Sequence, residues 1–439
     1  MRFVLPAFRA QRSQCRPQLG IFGTFDVENY GDLLFPLIAE AELSQRLGPV
    51  TLQCFSYGRK TPPDWPYDVT SLTELPAMAS SLHGAIIGGG HIIRFDKSIA
   101  PGYAPPVPTI HHPTGYWLTP ILIALQHGTP VVWNAPGVHG DIPSWADPLM
   151  RLAIDGSRYV SVRDEPSRQA LLRFTDTIEI NVVPDTAFGI ARLLDARRPS
   201  SEFIRLRDAN GLTDPYIIIQ TIAELQHVAR FVRAQQQPFE NYRVLLLPIG
   251  PVLGDSDVAF GNDLPGIVQL SSWPGPLSMA ELIAQATAVV AVSLHLSMTA
   301  LAFGVPVFRP AHCFGGKYAT LSGFDGVIPF NVQEGIDPQR FSARHSRDEP
   351  SPAMSAVLRQ LDSHWDRIAT VFLSASETPS TLPALGRFWQ TLPDLLEARD
   401  EQVTAPDNIV RDDTDTRLSK PTAPPRYFGW LRRRAQDET

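Results

Sequence analysis

Short apolar runs alternate with amphipathic runs along most of this chain, and this alternation restricts the fold more than any other feature. The first apolar runs are GIFGT at residues 20–24, VTLQCFSY at 50–57 and GAIIGG at 84–89, and turn residues follow them. Strands that alternate with helices in this way are typical of a parallel sheet covered by helices. The sequence therefore predicts an α/β fold.

The alternation occurs twice. A polar, charged stretch over residues 195–214 separates the first series from PYIIIQT, where a second series begins. We predict two Rossmann-like, doubly wound domains, at residues 19–197 and 212–350, with a flexible leader over residues 1–18. The carboxyl ends of both sheets would then face one cleft, which is where open α/β sheets bind ligands.

The C-terminal part of the chain differs from both series. Residues 351–398 contain two amphipathic segments, and we predict C-terminal helices there. Residues 399–439 are polar, charged and proline-containing, which predicts a disordered tail. The tail ends in YFGWLRRRAQDET, an aromatic and basic cluster that gives a weak signal for contact with a membrane surface.

Charge and cysteine content exclude several classes of protein. The net charge of −7 disfavours a nucleic-acid partner, because neutralising a polyanion requires an excess of basic residues. The three cysteines, Cys15, Cys54 and Cys313, are far apart and match neither a disulfide framework nor a zinc motif. The N-terminal residues lack the apolar run of a secretory signal. These features predict a cytoplasmic protein.

One segment has the length of a membrane span. Residues 282–308 contain no charged side chain, but they include Gln285, Ser293 and His295 and are broken by Gly304-Val-Pro306. This pattern favours a strand, a helix and a further strand. We therefore predict no transmembrane segment.

Two glycine-containing motifs follow predicted strands of the first series. In GTFDVENYGD, Asn29 or Asp32 is placed to cap a helix, and Gly31 lies in a loop that can present N–H groups to an anion. A plain cap and turn explains the same residues. In the second motif, Gly88, Gly89 and Gly90 precede His91, and consecutive glycines allow a ligand to approach the backbone. The alternative there is a turn that requires glycine, with His91 as a base or as a helix-start residue.

Charged side chains follow two more predicted strands of the first series. Arg163 comes directly after YVSV, where its guanidinium would point into the cleft and suit a carboxylate or a phosphate. A structural ion pair between Arg163 and an aspartate is the alternative. Asp185 follows the next strand, and the sequence leaves open whether it is a helix cap or an acid of the site.

In the second series, His295 lies where a strand gives way to a helix, next to Ser293. This position faces the predicted cleft, so we predict a functional His295. Lys317 follows a glycine pair and would add a positive charge to the same cleft, although most lysines are solvated surface residues. No HExxH motif is present and the adjacent His111 and His112 do not form a two-ligand face, so we predict no metal and no other cofactor. The absence of a GxSxG motif disfavours a hydrolase.

Taken together, six segments resemble the polysaccharide pyruvyl transferase family over about residues 19–325. They occur in the family's order and spacing, and they are GTFDVENYGD, AIIGGG, PVVWNAPGV, YVSVRDEPSRQALL, VVPDTAF and SLHLSMTALAFGVPVF. The resemblance implies a fold similar to the two-Rossmann arrangement of GT-B glycosyltransferases. The leader and the tail lie outside it.

The resemblance implies an enzyme that transfers a pyruvyl group from phosphoenolpyruvate to sugar hydroxyls, leaving a ketal and phosphate, on precursors of cell-surface polysaccharides. His295 matches the family's catalytic histidine and would be the general acid, and Arg163 would hold the donor's carboxylate or phosphate. We place Asp32 with them in the catalytic set. The predicted substrate-binding residues are Asn29, Gly31, Gly88, Gly89, Gly90, His91, Ser293 and Lys317.

The chain departs from the family at one position. Where the family commonly has Arg-Leu-His, this chain has Ser293-Leu-His295. Losing a charge-assisted hydrogen bond to an anion costs about 1.5–3 kcal/mol, and Arg94, Lys317 and Arg309 are the candidates to compensate. Two alternatives therefore stay open, a glycosyltransferase of the same fold that uses a nucleotide sugar and a non-catalytic member that binds a glycan or a partner.

Overall fold

The computed structural model describes residues 16–95, 113–213, 215–226, 228, 242–255, 267–336 and 350–374. Its strands are β1 (Gln18–Phe22), β2 (Thr51–Ser56), β3 (Val69–Ser71), β4 (Gly84–Ile87), β5 (Ile93–Arg94), β6 (Val131–Trp133), β7 (Val138–His139), β8 (Val160–Val162), β9 (Ile180–Val182), β10 (Tyr216–Gln220), β11 (Arg243–Leu247), β12 (Ile267–Gln269), β13 (Ala288–Val290), β14 (Val307–Pro310) and β15 (Val327–Phe330). Its α-helices are α1 (Tyr30–Leu47), α2 (Leu75–Met78), α3 (Leu118–His127), α4 (Asp147–Asp155), α5 (Glu165–Leu172), α6 (Ile190–Leu193), α7 (Ser201–Ala209), α8 (Pro276–Gln285), α9 (Leu294–Ala302) and α10 (Pro352–Leu373).

Several sequence-based predictions fall outside the described residues. These are most of the leader, residues 1–15, the later part of the C-terminal helices, residues 375–398, and the whole tail. Gln18, which we assigned to the leader, is the first residue of β1.

The first domain, from β1 to β9, is built on a parallel sheet. Its five central strands lie in the order β3-β2-β1-β4-β6. The parallel pair β8-β9 adjoins β6, because Val132 forms a bridge with Tyr159. All four residues of β4 and all three of β6 are buried, as expected for a sheet covered by helices on both faces.

The second domain, from β10 to β15, is also built on a parallel sheet. Its strands lie in the order β12-β11-β10-β13-β14-β15, which is the 3-2-1-4-5-6 order of Rossmann folds. The apolar runs of β10 and β13 are fully buried. The prediction of an α/β fold built on two Rossmann-like parallel sheets is confirmed.

Polar caps begin the helices that bound the cleft. Asn29 accepts a hydrogen bond from the Gly31 amide at 3.2 Å and caps α1. Asp164 accepts one from the Ser167 amide at 2.8 Å and caps α5. These side chains satisfy amides that have no partner in the first turn of a helix.

The polar stretch over residues 195–214 is not only a linker, because it contains α7. Ser200 caps this helix by accepting a hydrogen bond from the Phe203 amide at 3.0 Å. The Ser200 hydroxyl also donates to Glu281 of α8 at 2.6 Å, and Phe203 is buried in the core. The sequence pattern does not predict α7, because charged residues are frequent in it and Phe203 is its one buried residue.

Helix α10 follows the second domain along the chain but packs against the first. Arg46 of α1 forms ion pairs with Asp362 at 3.3 Å and with Asp366 at 2.7 Å. Deeper in the contact, His364 bonds to the Tyr159 hydroxyl at 3.0 Å. The chain therefore returns to the first domain and ties the two domains together.

A continuous apolar core also joins the two domains through α1. Leu33 and Leu34 of α1 belong to the same buried cluster as Met279 and Leu296 of the second domain. Within this core, the hydroxyl groups of Tyr30 and Thr299 are 2.8 Å apart. No helix of the described residues is long and apolar enough to cross a membrane.

Candidate functional site

A cavity of about 480 Å³ lies at the carboxyl ends of the two sheets. Strand order reverses between β1 and β4 in the first sheet and between β10 and β13 in the second, and the loops after these strands form much of the wall. The lining residues are Thr24, Asn29, Asp32, Gly90, His91, Ile92, Arg94, Tyr116, His139, Arg163, Gln220, Ile222, Ile249, Gly250, Leu253, Asp255, Val292, Ser293, Leu294, His295, Lys317 and Tyr318.

Three ionisable side chains from both domains meet beside this cavity. Oδ2 of Asp185 lies 3.6 Å from Nη1 of Arg163 and 3.7 Å from Nε2 of His295. Burial raises the pKa of Asp185, but the nearby His295 and Arg163 and the hydrogen bond from the Ala187 amide outweigh it and hold the pKa below its ordinary value. The ionised carboxylate therefore bridges the two domains.

Asp185 also caps the short helical turn that follows it. Its Oδ1 atom accepts a hydrogen bond from the Ala187 amide at 3.0 Å. Oδ1 of Asp185 is therefore a helix cap, while Oδ2 faces Arg163 and His295.

Arg163 reaches the cavity with unsatisfied hydrogen-bond donors. Its side chain is only 4% exposed, and Nε lies 3.4 Å from Oδ2 of Asp164. Nε and Nη2 are buried and make no hydrogen bond with any described residue. A buried donor without an acceptor is unfavourable, so a carboxylate or phosphate bound in the cavity would stabilise this arrangement.

His295 lies in the first turn of α9 and packs against the first domain. A Cβ atom added to Gly31 would fall 1.8 Å from Nδ1 of His295, so only glycine leaves room for the ring. The edge of the ring also meets the ring of Phe35, at 5.7 Å between centroids. Nε2 is directed to Oδ2 of Asp185, but at 3.7 Å it makes no hydrogen bond with any described residue.

The other two residues predicted in the first loop also line the cavity. Asn29 caps α1, while Oδ2 of Asp32 accepts a hydrogen bond from the Thr24 hydroxyl at 2.8 Å. Asp32 is 7% exposed and lies in the first turn of α1. The structure therefore brings Asn29 and Asp32 to the cavity but places them beside the Asp185 cluster rather than within it.

The three consecutive glycines have different surroundings. A Cβ atom on Gly88 would lie 2.7 Å from the Phe22 carbonyl oxygen, and one on Gly89 would lie 2.4 Å from the Phe35 ring. Neither of these glycines lines the cavity. Gly90 does line it, with a φ of 87° that favours glycine. Close packing thus accounts for the first two, and only Gly90 is placed to approach a ligand.

His91 lines the cavity next to Arg163. Its Nε2 atom lies 2.8 Å from the carbonyl oxygen of Val138. Burial, followed by the positive charge of Arg163, lowers the pKa of His91 to about 3. A Cβ atom on Gly137 would meet both Nε of Arg163 and Cδ2 of His91, so this glycine lets the two side chains pack together.

Ser293 caps α9, and a side chain from β10 holds its amide. The Ser293 hydroxyl accepts a hydrogen bond from the Leu296 amide at 3.4 Å. Oε1 of Gln220 accepts from the amides of Val292 and Ser293, at 3.0 and 2.7 Å. In turn, Nε2 of Gln220 donates to Oδ2 of Asp255 at 3.2 Å.

Asp255 anchors this hydrogen-bond network, and neither Asp255 nor Gln220 is among the site residues predicted from the sequence. The same Oδ2 atom accepts hydrogen bonds from the amides of Ile249 and Gly250, both at 3.0 Å. Burial raises the pKa of Asp255 above its ordinary value, with the hydrogen bonds opposing it. A glutamine at the end of the apolar run YIIIQ was the one signal in the sequence, since a buried polar side chain there requires partners.

The three candidates to replace the missing arginine lie in different places. Arg94 and Lys317 line the cavity, whereas Arg309 is fully buried behind it. Arg309 donates to the Cys313 carbonyl at 2.7 Å and stacks on the ring of Tyr318 at 4.3 Å. Although much of the Lys317 side chain is exposed, desolvation of its amine and the charge of Arg163 lower its pKa to about 8.

Comparison of the sequence with known protein families identifies the family of this chain. The sequence model of the polysaccharide pyruvyl transferase family matches residues 29–309, which is more than half of the chain. This chain belongs to that family. The matched range includes Arg163, Asp185 and His295, while Lys317 follows it. No curated protein sequence matches the chain.

Solved structures with similar folds are distant in sequence. The UDP-GlcNAc 2-epimerase of Neisseria meningitidis, bound to UDP-GlcNAc, is 13% identical and covers 79% of this chain and 99% of its own, with a TM-score of 0.48. The UDP-GlcNAc 2-epimerase of Methanocaldococcus jannaschii is 11% identical, covers 80% and 100%, and has a TM-score of 0.46. A UDP-forming α,α-trehalose-phosphate synthase of Burkholderia vietnamiensis is 10% identical, covers 83% and 98%, and has a TM-score of 0.41. Similarities this low do not indicate a shared substrate.

Proposed function

We propose that this member of the polysaccharide pyruvyl transferase family transfers a pyruvyl group from phosphoenolpyruvate to two hydroxyls of a sugar. The products are a cyclic pyruvate ketal and phosphate, and the acceptor is a precursor of a cell-surface polysaccharide. The proposal is carried by one observation, the cluster in which Asp185 bridges Arg163 of the first domain and His295 of the second.

The proposed reaction needs a proton donor and cations. Protonation of the methylene carbon of phosphoenolpyruvate leaves a cation on the neighbouring carbon. The first sugar hydroxyl adds to that carbon, the bond to the phosphate oxygen breaks, and the second hydroxyl closes the ketal. One proton is gained at the methyl carbon and two are released from the hydroxyls, of which one restores the proton donor and the other protonates the departing phosphate.

The residues of the cluster suit these steps. We assign the proton donor to His295, which lines the cavity and whose Nε2 lies 3.7 Å from the carboxylate of Asp185. We assign the anionic donor to Arg163, whose buried Nε and Nη2 have no acceptor among the described residues. Lys317 is the second cation at the cavity wall. It is protonated in most molecules below its pKa of about 8.

Calorimetric binding of phosphoenolpyruvate and phosphate, in parallel with UDP-, GDP- and CMP-sugars, tests the proposal. We expect saturable binding of phosphoenolpyruvate that Arg163→Ala abolishes, whereas His295→Ala retains binding and loses acceptor-dependent release of phosphate. Binding of a nucleotide sugar alone would instead support a glycosyltransferase, the alternative raised by Ser293 at the family's arginine position. Binding of none of these compounds would support a non-catalytic family member.

A further inference from the structure

His91 carries a fixed pattern of hydrogen-bonding groups. A carbonyl oxygen only accepts hydrogen bonds, so the 2.8 Å contact between Nε2 of His91 and the Val138 carbonyl places the ring proton on Nε2. The backbone around the ring is itself held, since the Gly137 amide donates to the Gly90 carbonyl at 2.8 Å. In the neutral ring, Nδ1 then carries a lone pair and no proton.

The surroundings of His91 maintain this neutral form. Burial disfavours a charge on the ring, and the positive charges of Arg163 and Lys317 disfavour it further, so the pKa of His91 is lowered. The ring of His139 meets that of His91 edge-on, at 4.8 Å between centroids. Protonation of Nδ1 would therefore add a cation to a cluster of cations. Nδ1 makes no hydrogen bond with any described residue, and His91 lines the cavity.

A lone pair at this position selects the chemistry of its ligand. The lone pair repels the oxygens of a carboxylate or phosphate and attracts an O–H donor. Arg163, which packs beside His91 at Gly137, presents the opposite preference, because its Nε and Nη2 groups are only donors. One wall of the cavity thus places a site for a hydroxyl directly beside a site for an anion.

We propose that Nδ1 of His91 accepts a hydrogen bond from a hydroxyl of the sugar acceptor, so that His91 marks the acceptor subsite next to the donor subsite at Arg163. This proposal rests on the proposed function for the identity of the donor. It does not depend on turnover, since it concerns binding of a sugar. The glycine-rich loop after β4 therefore recognises the acceptor rather than the phosphate of the donor.

Equilibrium sugar binding tests the proposal. The probes are methyl glycosides of glucose, galactose, mannose and N-acetylglucosamine, measured by saturation-transfer NMR with and without phosphoenolpyruvate. The variants are His91→Phe, which removes both ring nitrogens, and His91→Gln, which retains an acceptor atom. The matched control is His127→Phe, at an exposed histidine at the end of α3 that does not line the cavity.

We expect at least one glycoside to bind the unmodified protein and His127→Phe alike. His91→Phe should weaken this binding about tenfold, as expected for loss of one hydrogen bond, and His91→Gln should weaken it less. Phosphoenolpyruvate affinity should fall much less than sugar affinity in His91→Phe. Equal sugar binding in His91→Phe, a larger loss for phosphoenolpyruvate than for sugar, or no binding of any glycoside would overturn the proposal.

Two further measurements keep the result interpretable. Melting temperatures identify a variant that fails to fold. In that case ¹⁵N-histidine NMR of the unmodified protein tests whether the glycoside contacts His91. A ring nitrogen without a proton should then change its resonance when the bound glycoside is added, and constant resonances would contradict the assignment. If the unmodified protein binds a glycoside through His91 but not phosphoenolpyruvate, the donor assignment fails while the acceptor subsite stands.

Discussion

Nε2 of His295 lies 3.7 Å from Oδ2 of Asp185, and the two residues belong to different domains. The site is therefore complete only while α9 of the second domain stays packed against the first. The packing of Nδ1 against Gly31 and the buried contact between Tyr30 and Thr299 maintain that position. A small substitution on either side of this contact between the domains is therefore expected to change catalytic activity.

We predict that Asp185→Asn lowers kcat by at least about a hundredfold, the usual scale of general acid catalysis. The amide keeps the oxygen that caps residues 186–189 but lacks the negative charge that faces Nε2 of His295. Because the change removes a negative charge beside Arg163, binding of phosphoenolpyruvate should be retained. Steady-state kinetics and calorimetry check both expectations, with Asp176→Asn at an exposed turn as the control. A raised KM with unchanged kcat would contradict the role given to Asp185.

We predict that Gly31→Ala inactivates the enzyme with little effect on folding elsewhere. The added methyl group would lie 1.8 Å from Nδ1 of His295, so the ring has to leave its position. The matched control is Gly275→Ala, where a Cβ atom meets nothing within 4 Å. Comparison of kcat and melting temperature for the two variants checks this. Equal activity in both would show that His295 does not work from this position.

We predict that Gln220→Leu lowers the free energy of unfolding by about 2–3 kcal/mol, because the amides of Val292 and Ser293 lose their shared acceptor in a part-buried site. The control is Gln169→Leu on the exposed face of α5, for which the expected change is within about 0.5 kcal/mol. Denaturant unfolding measures both. Similar values for the two variants would remove Gln220 as the anchor of the loop before His295.

The fold and the position of the main site residues could be predicted from the sequence. Buried parallel strands read as continuous apolar runs, and a polar residue directly after such a run falls at the edge of the sheet where ligands bind. Arg163 follows this rule directly, whereas Asp185 and His295 lie a few residues beyond the ends of β9 and β13. The structure brings these three side chains together.

The hydrogen-bond network beneath the site and the surroundings of the glycines could not be predicted in the same way. Gln220 and Asp255 meet through a loop whose path depends on the rest of the second domain, and no local spacing encodes it. The sequence predicts that Gly88 and Gly89 bind a ligand. In the structure, aromatic rings and backbone from distant segments occupy the space beside them. A sequence shows which positions lack a side chain, whereas only packing shows what fills the space.

We predict that His364 makes the protein sensitive to acid. Nε2 of this buried histidine lies 3.0 Å from Oδ1 of Asn134, and Nδ1 lies 3.0 Å from the Tyr159 hydroxyl, an arrangement that suits a neutral ring. Burial, followed by the charges of Arg46 and Arg367, lowers the pKa of His364 to about 3. In the unfolded chain the ordinary pKa is about 6.5, so the unfolded state takes up a proton first as the pH falls.

The free energy of unfolding should therefore fall as the pH drops below about 6.5, and this loss should continue toward pH 3. The contribution of His364 is at most about 1.4 kcal/mol per pH unit within that window. In His364→Gln the amide retains hydrogen-bonding groups but does not titrate, so unfolding measured between pH 7 and pH 4.5 should depend less steeply on pH. The exposed His127→Gln provides the control and should keep the full slope. Parallel curves for all three proteins would mean that another group causes the acid sensitivity.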